Sequence, residues 1–149
     1  MLPQPQSAQT VKVWDIWVRI THWAVSAGIF VNLIVTEGGS DVHEYIGYAV
    51  VALVVSRLLW GLVGSQYARF SNFFPTPTRI REHMTDIKQH KFHGHLGHNP
   101  LGALMMFALW GVIIALGVTG YLQTTDQFWG DDTIQAIHEF LANSLWVLV

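Results

Sequence analysis

Apolar residues come in long runs along this chain, separated by polar breaks that hold most of its charge. A helix needs about 20 mostly apolar residues to cross a bilayer. Four segments approach that length. The first has its apolar body from Ile16 to Val35 and spans about residues 14–35 with its entry residues included. The second is apolar from Tyr45 to Val63 and spans about 43–63 with its polar start. The third covers Leu101 to Leu122, and the fourth begins near Ile134 and is still apolar at Val149. The pattern predicts an all-α membrane protein: one domain, a four-helix transmembrane bundle whose fourth helix is incomplete within this chain. The first segment is too long for a cleaved leader, only Lys12 precedes Arg19 as a basic residue, and no small-residue cleavage site follows.

The breaks between the runs carry their own signals. Gly38-Gly39-Ser40 reads as a tight turn, and Asp41-Val42-His43-Glu44 is an acidic opening suited to a helix N-terminus. Residues 64–100 form a long loop. Within it, Pro75 and Pro77 followed by Thr78–Lys88 suggest a short helix with Ile80, Met84 and Ile87 near one side. Such a helix lies on a membrane face or is a solvated loop helix; both readings fit. Asp15 and Arg19 stand four apart and can pair on a helix.

Composition sharpens the membrane reading. Hydrophobic residues make up 51% of the 149 residues and charged residues only 12%, about half the usual share of a soluble domain. There is no cysteine. That excludes disulfides, thiolate metal sites and covalent haem attachment through Cys-x-x-Cys-His. All eight basic residues fall on one side of the layout: Lys12 and Arg19, then Arg57, Arg69, Arg79, Arg81, Lys88 and Lys91. The breaks at 36–42 and 123–133 hold only acidic charge, from Glu37, Asp41, Asp126, Asp131 and Asp132. The positive-inside rule therefore places residues 1–12, as a tail, and the 64–100 loop in the cytoplasm. No nucleic-acid partner is expected.

Three histidines, His22, His43 and His138, lie in or at the edge of these segments. Ionisable side chains at such depth are costly and usually functional, and imidazole is a common axial ligand of haem iron. Alternating topology puts His43 and His138 at matching depth on different helices near the periplasmic side. That suits ligation of one iron from both faces inside a bundle. His22 lies at the opposite depth. The fourth helix reaches that depth about fourteen residues after His138, at 1.5 Å per residue. The position lies beyond Val149, so a longer natural chain is expected to supply the missing ligand. Arg57, late in the second helix, either faces the bundle and grips an acidic group such as a haem propionate, or snorkels to the headgroups. His90, His93, His95 and His98 form a histidine-rich tract that is either a metal site or incidental loop chemistry.

Several of these motifs carry a family resemblance. Val13-Trp14-Asp15-Ile16-Trp17-Val18-Arg19-Ile20-Thr21-His22-Trp23 resembles the opening of the bacterial cytochrome b561 and nickel–iron hydrogenase b-type cytochrome family. His43-Glu44-Tyr45-Ile46-Gly47-Tyr48 with Arg57-Leu58-Leu59-Trp60-Gly61 resembles its second helix. Tyr67-Ala68-Arg69-Phe70 and Gly97-His98-Asn99-Pro100-Leu101-Gly102 resemble its loop and third helix. His138-Glu139-Phe140-Leu141-Ala142-Asn143 resembles the start of its fourth.

The resemblance implies two haem b groups in a multi-pass protein of the bacterial inner membrane. One haem is expected on the residues matching His43 and His138. The other is expected on the residue matching His22 and a later histidine this chain lacks. The implied role is respiratory electron transport between the quinone pool and a c-type cytochrome or hydrogenase-like partner, as a subunit of a complex or a homodimer rather than a stand-alone enzyme. Two other classes stay open: a haem-free structural or assembly subunit, and a metal transporter built on His90–His98.

Overall fold

The computed structural model describes residues 15–89 and 99–148. Among these the chain is entirely helical outside its turns: α1 Ile16–Ile34, α2 Asp41–Val63, α3 Phe70–Phe73, α4 Pro77–Lys88, α5 Pro100–Gln123 and α6 Asp132–Leu148. The four long helices fall on the four apolar segments, and the short helix expected in the loop is α4. Lys12, Trp14, Lys91 and the His90, His93, His95 and His98 tract lie outside the described residues.

Each long helix starts where a side-chain oxygen meets the free backbone N–H groups of its first turn. Asp15 accepts from Val18 N at 2.9 Å for α1, and Ser40 accepts from His43 N at 3.3 Å for α2. Asn99 accepts from Gly102 N at 2.6 Å for α5, where Pro100 occupies the first helical position. Asp131 accepts from Thr133 N and Ile134 N at 2.8 and 3.0 Å ahead of α6. The turn into α2 requires Gly39, whose φ of 78° is a left-handed conformation.

Among the described residues, α2 and α5 are long and apolar enough to cross a membrane by length and composition. Helix α1 has 19 residues but carries Arg19, His22 and Asn32, and the 17 residues of α6 include Asp132, His138 and Glu139. These polar positions lower the apolar average of the outer two helices. Large apolar side chains cover much of the outside: Trp23, Phe30, Leu62, Phe140 and Val147 are all exposed.

The long helices pack in chain order, α1 on α2, α2 on α5 and α5 on α6. A core of Val50, Val54, Ile113 and Leu145 lies at mid-length. Helix α2 touches both neighbours through glycines. A Cβ at Gly28 would run into Val50, and one at Gly117 into Val51. Small residues permit this close backbone approach. Gly111, also in α5, meets nothing within 4 Å.

Asp15 does not pair with Arg19 through its carboxylate. Its oxygens serve Val18 N, Trp60 Nε1 at 2.9 Å and the Ser65 hydroxyl, tying the start of α1 to the end of α2. The local four-residue spacing gives way to tertiary donors that are fixed by packing.

Gly117→Val is expected to destabilise the protein by about 1–3 kcal/mol through overpacking against Val51. Gly111→Val should be close to neutral, because its Cβ faces open space. Thermal denaturation of both variants in detergent checks this; equal melting temperatures would contradict the close α2–α5 seam.

Candidate functional site

The structure brings together two of the three membrane histidines. His43 sits in the first turn of α2 and His138 in the second turn of α6, and both are half-buried. Their ring centres are 6.4 Å apart, with the planes inclined by 64°. Imidazoles binding one metal from opposite sides, each at about 2 Å, have ring centres about 6 Å apart. The spacing of the two rings therefore suits a single iron held between them.

Each imidazole has a hydroxyl at its other nitrogen. Thr36 Oγ1 stands 3.1 Å from His43 Nδ1, and Thr119 Oγ1 stands 2.8 Å from His138 Nδ1. Asn32 Nδ2 donates to the backbone carbonyl of His43 at 3.0 Å, which pins the start of α2 against α1. A Cβ at Gly120 would lie 3.4 Å from His138 Cε1, so the glycine leaves the ring room to sit against α5.

These supporting residues were not found from the sequence. Thr119 did leave a signal: it is the one Ser, Thr, Asn or Gln between Leu101 and Leu122. A lone hydroxyl in such a run asks what it bonds. Part of the answer is local, since it also bonds Ala115 O at 2.9 Å.

His22 lies apart from this pair, edge-on to Trp23 with ring centres 5.4 Å apart. It lines a partly open cavity of about 930 Å³ between α1, α2, α5 and the end of α6, together with Arg19, Arg57, Trp110 and Trp146. That volume is at the upper end of the range for cofactor-sized pockets, about 300–1,000 Å³. His22 is the one imidazole among the described lining residues.

Arg57 is 4% exposed, so its head does not reach the surface. The guanidinium carbon lies 5.5 Å from the Trp110 ring centre and 5.9 Å from that of Phe70. Both terminal nitrogens reach Ala68 O only at a long 3.5 Å. A guanidinium carries five donors, and a buried charge calls for an anionic partner. Arg57 thus presents a cation with hydrogen-bonding capacity to spare on the wall of the cavity that holds His22. Among the described residues, no three of His, Asp and Glu gather where they could hold a bare metal ion.

Comparison with known proteins supplies the lineage. A model of the prokaryotic cytochrome b561 family matches residues 13–149. Among curated proteins, a probable Ni/Fe-hydrogenase B-type cytochrome subunit of Bradyrhizobium diazoefficiens is 26% identical over 140 residues, covering 75% of this chain and 57% of the relative. Proteins of the same name from Azotobacter vinelandii and Azotobacter chroococcum mcd 1 are each 24% identical over 139 residues, covering 74% of this chain and 58% of theirs. The chain thus spans under three fifths of the length of these relatives. No solved structure matches it. With the family model matching from the start of the first helix to the last residue, this chain belongs to the prokaryotic cytochrome b561 family.

Proposed function

We propose that this protein is a membrane-bound b-type cytochrome that passes electrons through non-covalently held haem, with His43 and His138 as the axial ligands of one haem b. The observation that carries the reading is the pair of imidazoles from α2 and α6 with ring centres 6.4 Å apart. Haem supplies one-electron chemistry, and ligation by two histidines leaves no open position on the iron for oxygen. The chain's own part is to aim the two nitrogens, exclude water with the apolar helices and set the charge around the site.

A second haem in the cavity beside His22 is part of this proposal. His22 supplies one ligand and Arg57 binds a propionate, as a buried guanidinium suits a carboxylate. The opposite ligand comes from outside the described residues.

The four long helices span the bacterial inner membrane with the N-terminus in the cytoplasm. Lipid is the solvent that suits the exposed Trp23, Leu62, Phe140 and Val147, and the confinement of Lys and Arg to one side suits this orientation. The names of the relatives describe b-type cytochrome subunits of a Ni/Fe hydrogenase. By analogy, this protein connects the quinone pool with a hydrogenase-like or other redox partner in the respiratory chain.

Replacing His43 or His138 by Ala is expected to remove the same haem, seen as loss of part of the reduced b-type absorption and of the matching haem content. His22→Ala should leave that haem in place. Full haem content in both His43 and His138 variants would sink the assignment. Arg57→Gln is expected to lower the midpoint potential of the haem beside His22, because a nearby cation favours the reduced iron. The expected loss is about 1–2 kcal/mol at an effective dielectric near 20. Redox titration reads it, and an unchanged or raised potential rejects the propionate role.

A further inference from the structure

We infer that Thr36 and Thr119 are positioning residues that accept the Nδ1–H protons of His43 and His138, present Nε2 of both rings to the iron and hold its reduction potential down. This rests on the reading of those two histidines as axial ligands.

The direction of the two hydrogen bonds follows from counting protons. A threonine hydroxyl has one proton to give and lone pairs to accept with. Thr119 Oγ1 lies 2.9 Å from Ala115 O and 3.2 Å from Leu116 O, and carbonyls only accept. The hydroxyl proton is therefore directed at the carbonyls of its own helix. The contact with His138 Nδ1 at 2.8 Å then requires the proton to sit on the ring. Thr36 repeats the arrangement. Its hydroxyl lies 3.2 Å from Asn32 O and 3.3 Å from Asn32 Oδ1, and 3.1 Å from His43 Nδ1. Asn32 is oriented by donating its Nδ2 to His43 O, which leaves its amide oxygen for the threonine. A neutral imidazole with its proton on Nδ1 keeps its free lone pair on Nε2.

The two threonines come from different parts of the fold. Thr36 follows the end of α1 and steadies the ring on α2, while Thr119 in α5 steadies the ring on α6. Each ligand is thus braced by the helix packed beside its own. Metal-bound histidines usually give their second N–H to an acceptor, which fixes the ring and raises its basicity. A more basic ligand favours ferric over ferrous iron, so losing either hydroxyl should raise the potential. The bond at Thr119 is shorter than that at Thr36, 2.8 against 3.1 Å, so its loss should have the larger effect.

The test uses the full chain, purified with its haem, as Thr36→Val, Thr119→Val and the Thr→Ser variant at each position. The readouts are haem content, the low-spin electron paramagnetic resonance signal and the midpoint potential. Thr119→Val is expected to shift the equilibrium toward ferrous iron by up to about tenfold, or about 59 mV for one electron. Thr36→Val should shift it less, and the serine variants should restore the wild-type potential.

Valine variants that keep their haem at an unchanged potential overturn the inference. If a valine variant loses its haem, the serine variant decides: wild-type haem and potential support the hydroxyl's role, and loss in serine too rejects it. Haem retained in full by His43→Ala and His138→Ala would instead refute the ligand reading beneath it.

Discussion

A half-buried imidazole has two ring nitrogens, and an apolar bundle offers them few polar partners. The packing of this protein at His43 and His138 depends on meeting that need. On each ring one nitrogen faces a threonine hydroxyl, at 3.1 Å for Thr36 and 2.8 Å for Thr119. The two ring centres are 6.4 Å apart, and in the proposed reading the remaining nitrogens would hold the iron. The helix contacts follow from this arrangement. Helix α1 must lie close enough to α2 for Asn32 and Thr36 to reach His43, and Gly28 allows it. Helix α5 must approach α6 closely enough for Thr119 to reach His138, and Gly120 leaves the ring its place.

The opposite end of the bundle is built on a different balance. There the chain tolerates a buried cation, Arg57, between the Phe70 and Trp110 rings. A cation–π contact of this kind contributes about 0.5–2 kcal/mol. That is small against the cost of removing a guanidinium from water, which amounts to several kcal/mol even in relaxed proteins. Two long bonds to one carbonyl add little. The rings and the carbonyl hold the side chain in place, the Asp15 carboxylate attracts it electrostatically, and the propionate proposed above would be its further partner. Asp15, with its oxygens committed to Val18, Trp60 and Ser65, is a brace between α1 and α2.

Some of this was legible in the sequence, and the reasons differ from residue to residue. The four long helices were legible because apolar run length is a strong local signal. The meeting of His43 and His138 was legible because alternating helix direction converts sequence position into depth, and depth needs no knowledge of packing. Thr36 and Thr119 were not, since their importance depends on which face of a neighbouring helix they occupy. The pairing of Asp15 with Arg19 failed for the same reason. A weak exposed pair at four-residue spacing is worth a few tenths of a kcal/mol, and fixed donors on another helix outweigh it. Gly117 and Gly111 looked alike in sequence and separate only when Val51 is placed.

The separation of the two ends also bears on the proposed electron path. His43 and Arg57 lie fourteen residues apart on α2, which is about 21 Å of rise. That is less than the hydrocarbon thickness of a bilayer, about 30 Å, so both sites fit within one membrane crossing. Between them stand Val50 and Val54, buried to 6% and 0% exposure, packed against Ile113 and Leu145. Val54 and Ile113 face the cavity beside His22 as well as this core, so the aliphatic layer forms the cavity's inner wall. Polar groups are gathered at the two ends, and the middle of the bundle is left to aliphatic side chains. In the two-haem conduit proposed above, electrons would have to cross this aliphatic layer between the two ends.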